Sequence, residues 1–194
     1  MHILRQEGFF MEREYFYEQI AELTYQNFKP LVTWLFPEQK AKWILKESLN
    51  YEAVIFTAKG CELAALLGYY ANGCNFFDFK EEKLRKWLTA EEYCQSKKRL
   101  EQWQSFCKKD TFYVEALCTD ALHRRQGLAE YLLSLAEKKA KECGLKRMAL
   151  EVADNNYPAM ALYLKCGFTC KDKRRTPCDF THYECRLWLE KTLS

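Results

Sequence analysis

The segment from residue 111 to residue 144 runs from a buried strand through a short turn into a helix, and it constrains the fold more than any other part of the chain. Thr111–Thr119 is rich in aromatic and apolar residues, which indicates a strand. Residues 127–143 have helical periodicity and precede Gly144, a residue type common just after a helix. The turn between strand and helix can direct backbone N–H groups, and the positive end of the helix dipole, at a diphosphate.

Three residues of this turn stand at a characteristic spacing: Arg124, Gly127 and Ala129. Gly127 has no β-carbon, so a phosphate can approach its N–H closely, and Ala129 keeps the first helical turn narrow in the same way. Arg124 adds a fixed positive charge next to a ligand that carries several negative charges. An ordinary strand-to-helix turn with surface arginines is the alternative interpretation of so short a motif.

A second motif follows the next predicted strand, Arg147–Ala153. Its members are Asn156, Ala159, Leu162-Tyr163 and Gly167-Phe168. With one helix and one strand between them, the two motifs resemble the signatures of the GNAT N-acetyltransferases. The resemblance is strong over residues 111–168, whereas residues 1–110 match only in the order of their elements. A doubly wound dinucleotide-binding fold does not fit, because the sequence has no Gly-x-Gly-x-x-Gly.

The resemblance implies a mixed α/β fold with a single domain over residues 1–194. The mostly antiparallel sheet would have about six to seven strands flanked by helices, and its fourth and fifth strands would splay apart. A helical insert, residues 76–108, would precede the fourth strand. Hydrophobic patterning predicts helices at 12–29 (ended by Pro30), 37–49, 80–108 (one or two), 127–143 and 158–166, and strands at 2–6, 53–58, 62–70, 111–119, 147–153, 168–174 and 182–189.

The same resemblance implies acetyl-CoA as cosubstrate. Its pantetheine would lie between the splayed strands and pair with their free backbone groups, as a peptide does when it adds to a sheet edge. Asn156 would hydrogen-bond the pantetheine arm, and it is also a suitable helix N-cap. The cofactor-binding residues are then Leu117, Cys118, Thr119, Arg124, Arg125, Gln126, Gly127, Leu128, Ala129, Asn156 and Tyr163.

Two side chains are candidates for the chemistry of acetyl transfer. Tyr163 stands where the family carries the tyrosine that protonates the leaving thiolate, and a phenol with an ordinary pKa of about 10 keeps its proton at neutral pH. The alternative for Tyr163 is a core tyrosine on a helix face. Glu115 lies two residues before Leu117, on the same face of the strand, where it can accept a proton from the acceptor. Its alternative is a strand glutamate bonded to its neighbours.

Two further residues are interpreted as structural. His123 precedes Arg124 on the pyrophosphate side of the turn, which is far from where a base is needed. Cys118 is a poor covalent acetyl carrier, because it lies on the strand edge used for cofactor amides and has no basic partner visible in the sequence.

Composition excludes several classes of protein. The chain has 30 Lys and Arg against 27 Asp and Glu, a net charge of +3 that is too balanced to indicate nucleic-acid binding. None of its ten cysteines forms a Cys-x-x-Cys pair or lies at zinc-ligand spacing from a histidine, so no metal is expected. No apolar run has the length of a signal peptide or a membrane span. We therefore expect a reduced, cytoplasmic protein that does not contact a membrane.

The predicted function is direct transfer of an acetyl group from acetyl-CoA to a primary amine. A non-catalytic CoA-binding sensor or interaction module is the alternative. The acceptor, a small molecule or a peptide amine, would be selected by residues 12–50 and 74–110, which resemble the family least. Aromatic residues of the insert would either pack on the sheet edge or form the wall of the substrate pocket. A homodimer could form through the closing strands, although nothing in the sequence requires it.

Overall fold

A computed structural model describes residues 15–103, 109–176 and 184–193. The helices are α1 Tyr17–Leu35, α2 Glu38–Ser48, α3 Glu81–Arg85, α4 Ala90–Trp103, α5 Leu128–Glu142 and α6 Tyr157–Lys165. The strands are β1 Val54–Lys59, β2 Glu62–Ala71, β3 Cys74–Asn75, β4 Thr111–Thr119, β5 Arg147–Ala153, β6 Thr169–Arg175 and β7 Cys185–Thr192. A 3₁₀ turn, Ala121–His123, joins β4 to the loop before α5.

The strands form one seven-stranded sheet in the order β1-β2-β4-β5-β7-β6, with the short β3 paired to β2. All of these pairs are antiparallel except β4 with β5. The mixed, mostly antiparallel α/β sheet predicted from the sequence is therefore confirmed.

The parallel pair between β4 and β5 is incomplete. It runs from Thr111 opposite Arg147 to Val114 opposite Leu150 and ends there. Beyond these residues, β4 remains paired with β2, and β5 remains paired with β7. The two central strands therefore diverge, and the β5-facing edge of β4 has no strand partner past Val114 within the described part of the chain.

A bulge interrupts β4 where the divergence begins. Gly68 on β2 pairs with Ala116, but the next β2 residue, Tyr69, pairs with Val114. Glu115 is therefore left without a partner on β2. A bulge redirects the side chain and backbone of the extra residue, and it places Glu115 at the mouth of the divergence.

Side chains of β4 alternate between the core and a cleft. Phe112, Val114, Ala116 and Cys118 are buried. The intervening Tyr113, Glu115 and Leu117 are only partly buried and line the cleft. Helix α5 packs against β1, β2 and β4, while α1 contacts β2, β4, α2 and α4.

The predicted end of the first helix at Pro30 is wrong. Helix α1 continues through Pro30 to Leu35. An internal proline costs about 3 kcal/mol because a backbone hydrogen bond is lost. Val32 and Leu35, which follow Pro30, are both 1% exposed. Burial of such side chains contributes about 1.5–3 kcal/mol each, which offsets the cost of the proline.

Two smaller features also differ from the sequence-based prediction. The helical pattern of residues 37–49 predicts Trp43 and Ile44 on the inward face, but Trp43 is 54% exposed and, of the two, only Ile44 is buried. The sequence also gave no indication of β3, whose two residues pair with Tyr70 and Ala71. The insert contains two helices, α3 and α4, where the sequence predicted either one or two. The predicted strand at residues 2–6 lies outside the described residues, as do positions 12–14, 104–108 and 182–183 of other predicted elements.

Candidate active site

A cleft of about 1150 Å³ opens where β4 and β5 diverge. Its floor is formed by the ends of both strands, and helices α1, α3 and α4 provide much of its walls. The cleft brings together four of the residues predicted for the site, namely Glu115, Leu117, Asn156 and Tyr163.

Glu115 is held in the cleft by two backbone amides. Its Oε2 accepts hydrogen bonds from the N–H of Phe76 at 2.6 Å and of Phe77 at 3.4 Å. Burial raises the pKa of the Glu115 carboxyl to about 7, although both amide donors oppose the rise. The Glu115 carboxyl is thus hydrogen-bonded to neighbouring residues, which is one of the two interpretations that the sequence allowed. Because its pKa is about 7, it can also gain or lose a proton near neutral pH.

Asp78 adds a negative charge near Glu115 and raises the pKa of its carboxyl further. The Asp78 side chain lies 3.0 Å from Nζ of both Lys80 and Lys83. An acidic residue just before a helix, as Asp78 is, would be expected to be solvated, but Asp78 is only 9% exposed and lines the cleft. Its N–H donates to the carbonyl of Ser48 at the end of α2, and this contact between distant segments cannot be read from the sequence.

Tyr163 reaches the cleft from α6. The residue is 8% exposed, and its ring lies edge-on to that of Phe168, with 6.0 Å between centroids. Burial raises the pKa of the phenol above its ordinary value, and the thiols of Cys118 and Cys166 add to the rise. The hydroxyl therefore keeps its proton at neutral pH and can donate it to a stronger base in the cleft.

The thiol of Cys118 faces the core and not the cleft edge. The residue is 1% exposed, and burial raises the pKa of its thiol to about 12. A thiol that stays protonated is a weak nucleophile. The backbone of Cys118, in contrast, belongs to the unpaired edge of β4.

The turn after β4 is fixed by its own polar groups. Asp120 accepts a hydrogen bond from Leu122 N–H at 2.9 Å and lies 3.2 Å from Nδ1 of His123. His123 is thereby part of the turn, in agreement with its structural interpretation. The Nε of Arg124 lies 3.4 Å from the carbonyl oxygen of Thr119, and its side chain is exposed.

The loop before α5 contains two residues with left-handed backbone conformation. Arg125 and Gly127 both have positive φ angles, +60° and +77°. A β-carbon built on Gly127 would meet no atom within 4 Å, so the space before it is open. Tyr131 N–H donates to the carbonyl of Gly127 and closes the first helical turn. The preceding amides of Leu128 and Ala129 lie in the first turn, where a helix has no internal acceptor for them.

Asn156 caps α6. Its Oδ1 accepts a hydrogen bond from Ala159 N–H at 3.3 Å, which satisfies one of the free donors of the first turn. The side chain also lines the cleft. The N-cap predicted for Asn156 is therefore present, and no described residue accepts a hydrogen bond from its amide NH₂.

Aromatic side chains form much of the cleft wall on the side of α1, α3 and α4. Tyr93 and Trp103 of the insert line the cleft, as do Phe28, Phe77 and Phe79. Tyr93 and Trp103 also pack against the hydrophobic core, so these two residues combine the two roles considered for the insert aromatics. Helical spacing of aromatic residues in the sequence cannot distinguish residues that line a pocket from residues that pack against the sheet.

Sequence reasoning missed Arg186 and Glu151 entirely. Both line the cleft, and their side chains form an ion pair with 2.7 Å between Nη1 and Oε2. Their strands are adjacent in the sheet but separated by a helix and a strand in the chain. Only the antiparallel register of β5 and β7 brings them together.

Neither a metal site nor a membrane span is found in the described ranges. No group of three or more His, Cys, Asp or Glu side chains is placed there to hold a metal ion. The helices described are also too short or too polar to cross a bilayer.

Comparison with known proteins places the two motifs in a family. Residues 93–168 match the profile of the Acetyltransferase (GNAT) family. Streptothricin acetyltransferase of Escherichia coli is 40% identical over 60 residues, which are 31% of this chain. That match spans only 34% of the length of the curated relative.

Solved structures share the whole fold. The N-acetyltransferase from Staphylococcus aureus Mu50 is similar over 92% of this chain and 96% of its own, with a TM-score of 0.69 and 19% identity. The structure of yncA from Salmonella typhimurium with its cofactor acetyl-CoA covers 92% of this chain and 89% of its own, with a TM-score of 0.58 and 15% identity. At identities this low, the structural similarity shows the fold alone. The sequence match over residues 93–168 includes both signature motifs. Over residues 93–168, the chain therefore has the signature of the GNAT acetyltransferase family.

Proposed function

We propose that the protein is an acetyl-CoA-dependent N-acetyltransferase that moves an acetyl group directly to a primary amine. One observation carries the proposal. The gap between the diverging ends of β4 and β5 opens into a cleft that also holds Glu115 and Tyr163, a group that can accept a proton and a group that can donate one.

The residues present fit a CoA donor. The open space before Gly127 and the first-turn amides of α5 suit the diphosphate, and Arg124 and Arg125 supply positive charge. The unpaired edge of Leu117, Cys118 and Thr119 offers backbone donors and acceptors to an extended amide chain. The free NH₂ of Asn156 lies on the same cleft. Acetyl-CoA would supply a thioester whose acetyl carbon is open to attack by an amine.

Glu115 would take the proton that the amine must lose. The amine nitrogen forms the new bond to the acetyl carbon, and the proton passes to the Glu115 carboxylate directly or through water. Because burial raises the pKa of Glu115 to about 7, the carboxylate is a stronger base than an ordinary glutamate. The hydrogen bonds from Phe76 and Phe77 fix the direction in which it faces.

Tyr163 would supply the proton for the leaving group. The bond between acetyl carbon and sulfur breaks with its electron pair on sulfur, and the phenol donates its proton there. Its buried position in the wall keeps water away from the hydroxyl. The two proton transfers balance, since one proton passes from the amine to Glu115 and one from Tyr163 to the thiolate. After the products leave and the cleft refills with water, Glu115 releases its proton to solvent and the Tyr163 phenolate takes one up.

The relatives support this activity. The Escherichia coli protein is named a streptothricin acetyltransferase, and yncA was solved with acetyl-CoA. The cleft volume of about 1150 Å³ accommodates a small-molecule amine beside the donor arm. We therefore propose a small-molecule amine, rather than a protein, as the acceptor.

Two measurements test the proposal. Calorimetry should give heat with acetyl-CoA, and the purified protein should release thiol from acetyl-CoA in the presence of a panel of primary amines. Binding without thiol release from any amine would instead support the CoA-binding sensor. Absence of heat at millimolar ligand would contradict both functions.

A further inference from the structure

Arg186 forms an unusual element of the cleft wall. It lies on β7, opposite Ala153 of β5, and is only 6% exposed. Its Nη1 donates to Glu151 Oε2 at 2.7 Å and lies 3.4 Å from the carbonyl oxygen of Trp103. The guanidinium also lies 4.1 Å from the centroid of the Trp103 ring. Contacts with a carboxylate, a carbonyl and an aromatic face together determine the orientation of the guanidinium plane.

The hydrogen bonding of this guanidinium is incomplete. Among the residues that the structure describes, Nε of Arg186 is buried and has no acceptor. Leaving a buried donor of a charged group unsatisfied is unfavourable. Other atoms of Arg186 line the cleft, so a bound molecule whose oxygen reaches Nε would supply the missing acceptor.

The residues around Arg186 limit which chemical groups such a molecule can present to the guanidinium. The Trp103 ring covers one face of the guanidinium, so a partner approaches in its plane, where carboxylate and carboxamide oxygens bind best. Glu115 lies in the same cleft. A molecule that presents its amine to Glu115 can therefore present an oxygen to Arg186.

Resting on the proposed acetyltransferase function, we propose that Arg186 is a specificity-determining residue that binds a carboxylate or carboxamide oxygen of the acceptor. The acceptor is then an amine of the amino-acid or peptide-amide class and not a plain polyamine. Glu151 and Trp103 act as positioning residues, since they orient Arg186. If Arg186 had only a structural role, it would connect the end of α4 to β7, and it would not affect which amines are acetylated.

The test compares amines that differ in the oxygen group. L-lysine is paired with cadaverine, and glycinamide with ethylamine, at saturating acetyl-CoA with thiol release as readout. The wild-type protein should favour the oxygen-bearing member by about 10-fold or more in kcat/KM, as expected when a buried polar site meets an analogue that lacks its partner. The Arg186→Lys variant should lose this preference through KM of the oxygen-bearing amine while it still acetylates the plain amines.

The chain offers a matched control in Arg99. Its Nη1 donates to the Trp34 carbonyl at 2.6 Å, and its guanidinium lies 5.7 Å from the Trp34 ring. Neither Arg99 nor Trp34 lines the cleft. Arg99→Lys should therefore leave the preference unchanged, whereas a general effect of disturbing a stacked arginine would appear in both variants.

A second variant protects the test against misfolding of Arg186→Lys. Glu151→Gln removes the charge that competes for Arg186, so the preference for L-lysine over cadaverine should increase. The proposal is overturned if plain amines react as well as their partners, if no amine of either pair reacts although acetyl-CoA binds, or if the preference survives in Arg186→Lys. Loss of acetyl-CoA binding in the wild-type protein would instead refute the proposed function itself.

Discussion

The ring of Phe76 fills the space that a side chain at Gly68 would need. A β-carbon built on Gly68 would lie 2.1 Å from Cδ1 of Phe76. The N–H of the same Phe76 donates to Glu115 at 2.6 Å. A glycine on β2 therefore determines where the segment after β3 lies, and through that segment it determines the position of the candidate base.

We expect Gly68→Ala to affect both stability and catalysis. The ring of Phe76 must move, and overpacking of this kind destabilises by about 1–3 kcal/mol. The displaced amide would also weaken its hydrogen bond to Glu115. Urea unfolding measures the first effect and thiol release the second. Recovery of activity in the double variant Gly68→Ala, Phe76→Leu would support this account, and a neutral Gly68→Ala would contradict it.

The pH dependence of activity should report on Glu115. Because burial raises its pKa to about 7, kcat/KM of the wild-type protein should increase as pH rises through about 7. Glu115→Gln retains an oxygen for the amides of Phe76 and Phe77 but cannot accept the proton. Loss of a general base lowers the rate by about 10²–10⁴-fold. The limb near pH 7 should disappear in this variant, and its persistence would assign the titration to another group.

The same carboxyl should make folding stability depend on pH. In the unfolded chain it titrates near 4.5 and in the folded protein near 7, so the folded state binds more protons between these values. Stability from this group is thus complete below about pH 4.5 and is lost as pH rises through about 7. The loss is on the order of 3 kcal/mol at most.

Urea unfolding of the wild-type protein and of Glu115→Gln at pH 5 and pH 8 isolates this contribution. Other groups titrate in both proteins, so their effects cancel in the difference. Glu115→Gln should gain stability relative to the wild type between the two pH values. If the difference in unfolding free energy between the two proteins is the same at pH 5 and pH 8, the Glu115 carboxyl is not buried as described.

Tyr163→Phe should slow transfer without weakening the binding of acetyl-CoA. The variant keeps the buried ring against Phe168 and removes only the proton donor. Loss of a general acid corresponds to about 10²–10⁴-fold in kcat.

Tyr51→Phe is the matched control for Tyr163→Phe. Burial also raises the pKa of Tyr51, to about 12, but Tyr51 does not line the cleft. The control should keep its kcat, although it loses the hydrogen bond from Tyr51 to the carbonyl of Lys46. Equal kcat values for Tyr163→Phe and the wild type would remove Tyr163 from the mechanism.

Glycines at opposite ends of α5 provide a paired test of the diphosphate site. Gly127 and Gly144 have φ angles of +77° and +70°, and a β-carbon at either would meet nothing within 4 Å. Alanine at either position should therefore bring a similar backbone strain, on the order of 1 kcal/mol. Only Gly127→Ala should also weaken acetyl-CoA binding measured by calorimetry. Equal Kd values for the two variants would place the phosphates elsewhere.

The part of the site near α5 and α6 could be predicted because it is local in sequence. The turn with Gly127, the N-cap Asn156 and the register of Tyr163 each depend on neighbours a few residues away. The divergence of β4 and β5 was expected from the family resemblance that the same motifs carry, whereas the order of the strands in the sheet was not predicted. Local hydrogen bonds and helix periodicity specify such features directly.

The acceptor side could not be predicted, because it is assembled from distant segments. Arg186 and Glu151 meet only through the register of β5 and β7. Asp78 is buried because the segment after β3 passes beside β4, and β3 itself is too short to leave a pattern. Pro30 misled the prediction, since tertiary burial of Val32 and Leu35 outweighs a local penalty that sequence rules treat as decisive.

The divergence of β4 and β5 has an evolutionary consequence. Under the proposed function, the groups that this divergence would offer to the donor belong to the main chain, and no substitution except proline can delete a peptide N–H. The acceptor walls would, in contrast, consist of side chains on α1, α3 and α4 that single mutations can replace. A chain built in this way could explore new amines by point mutation while the main-chain part of its donor site stays the same.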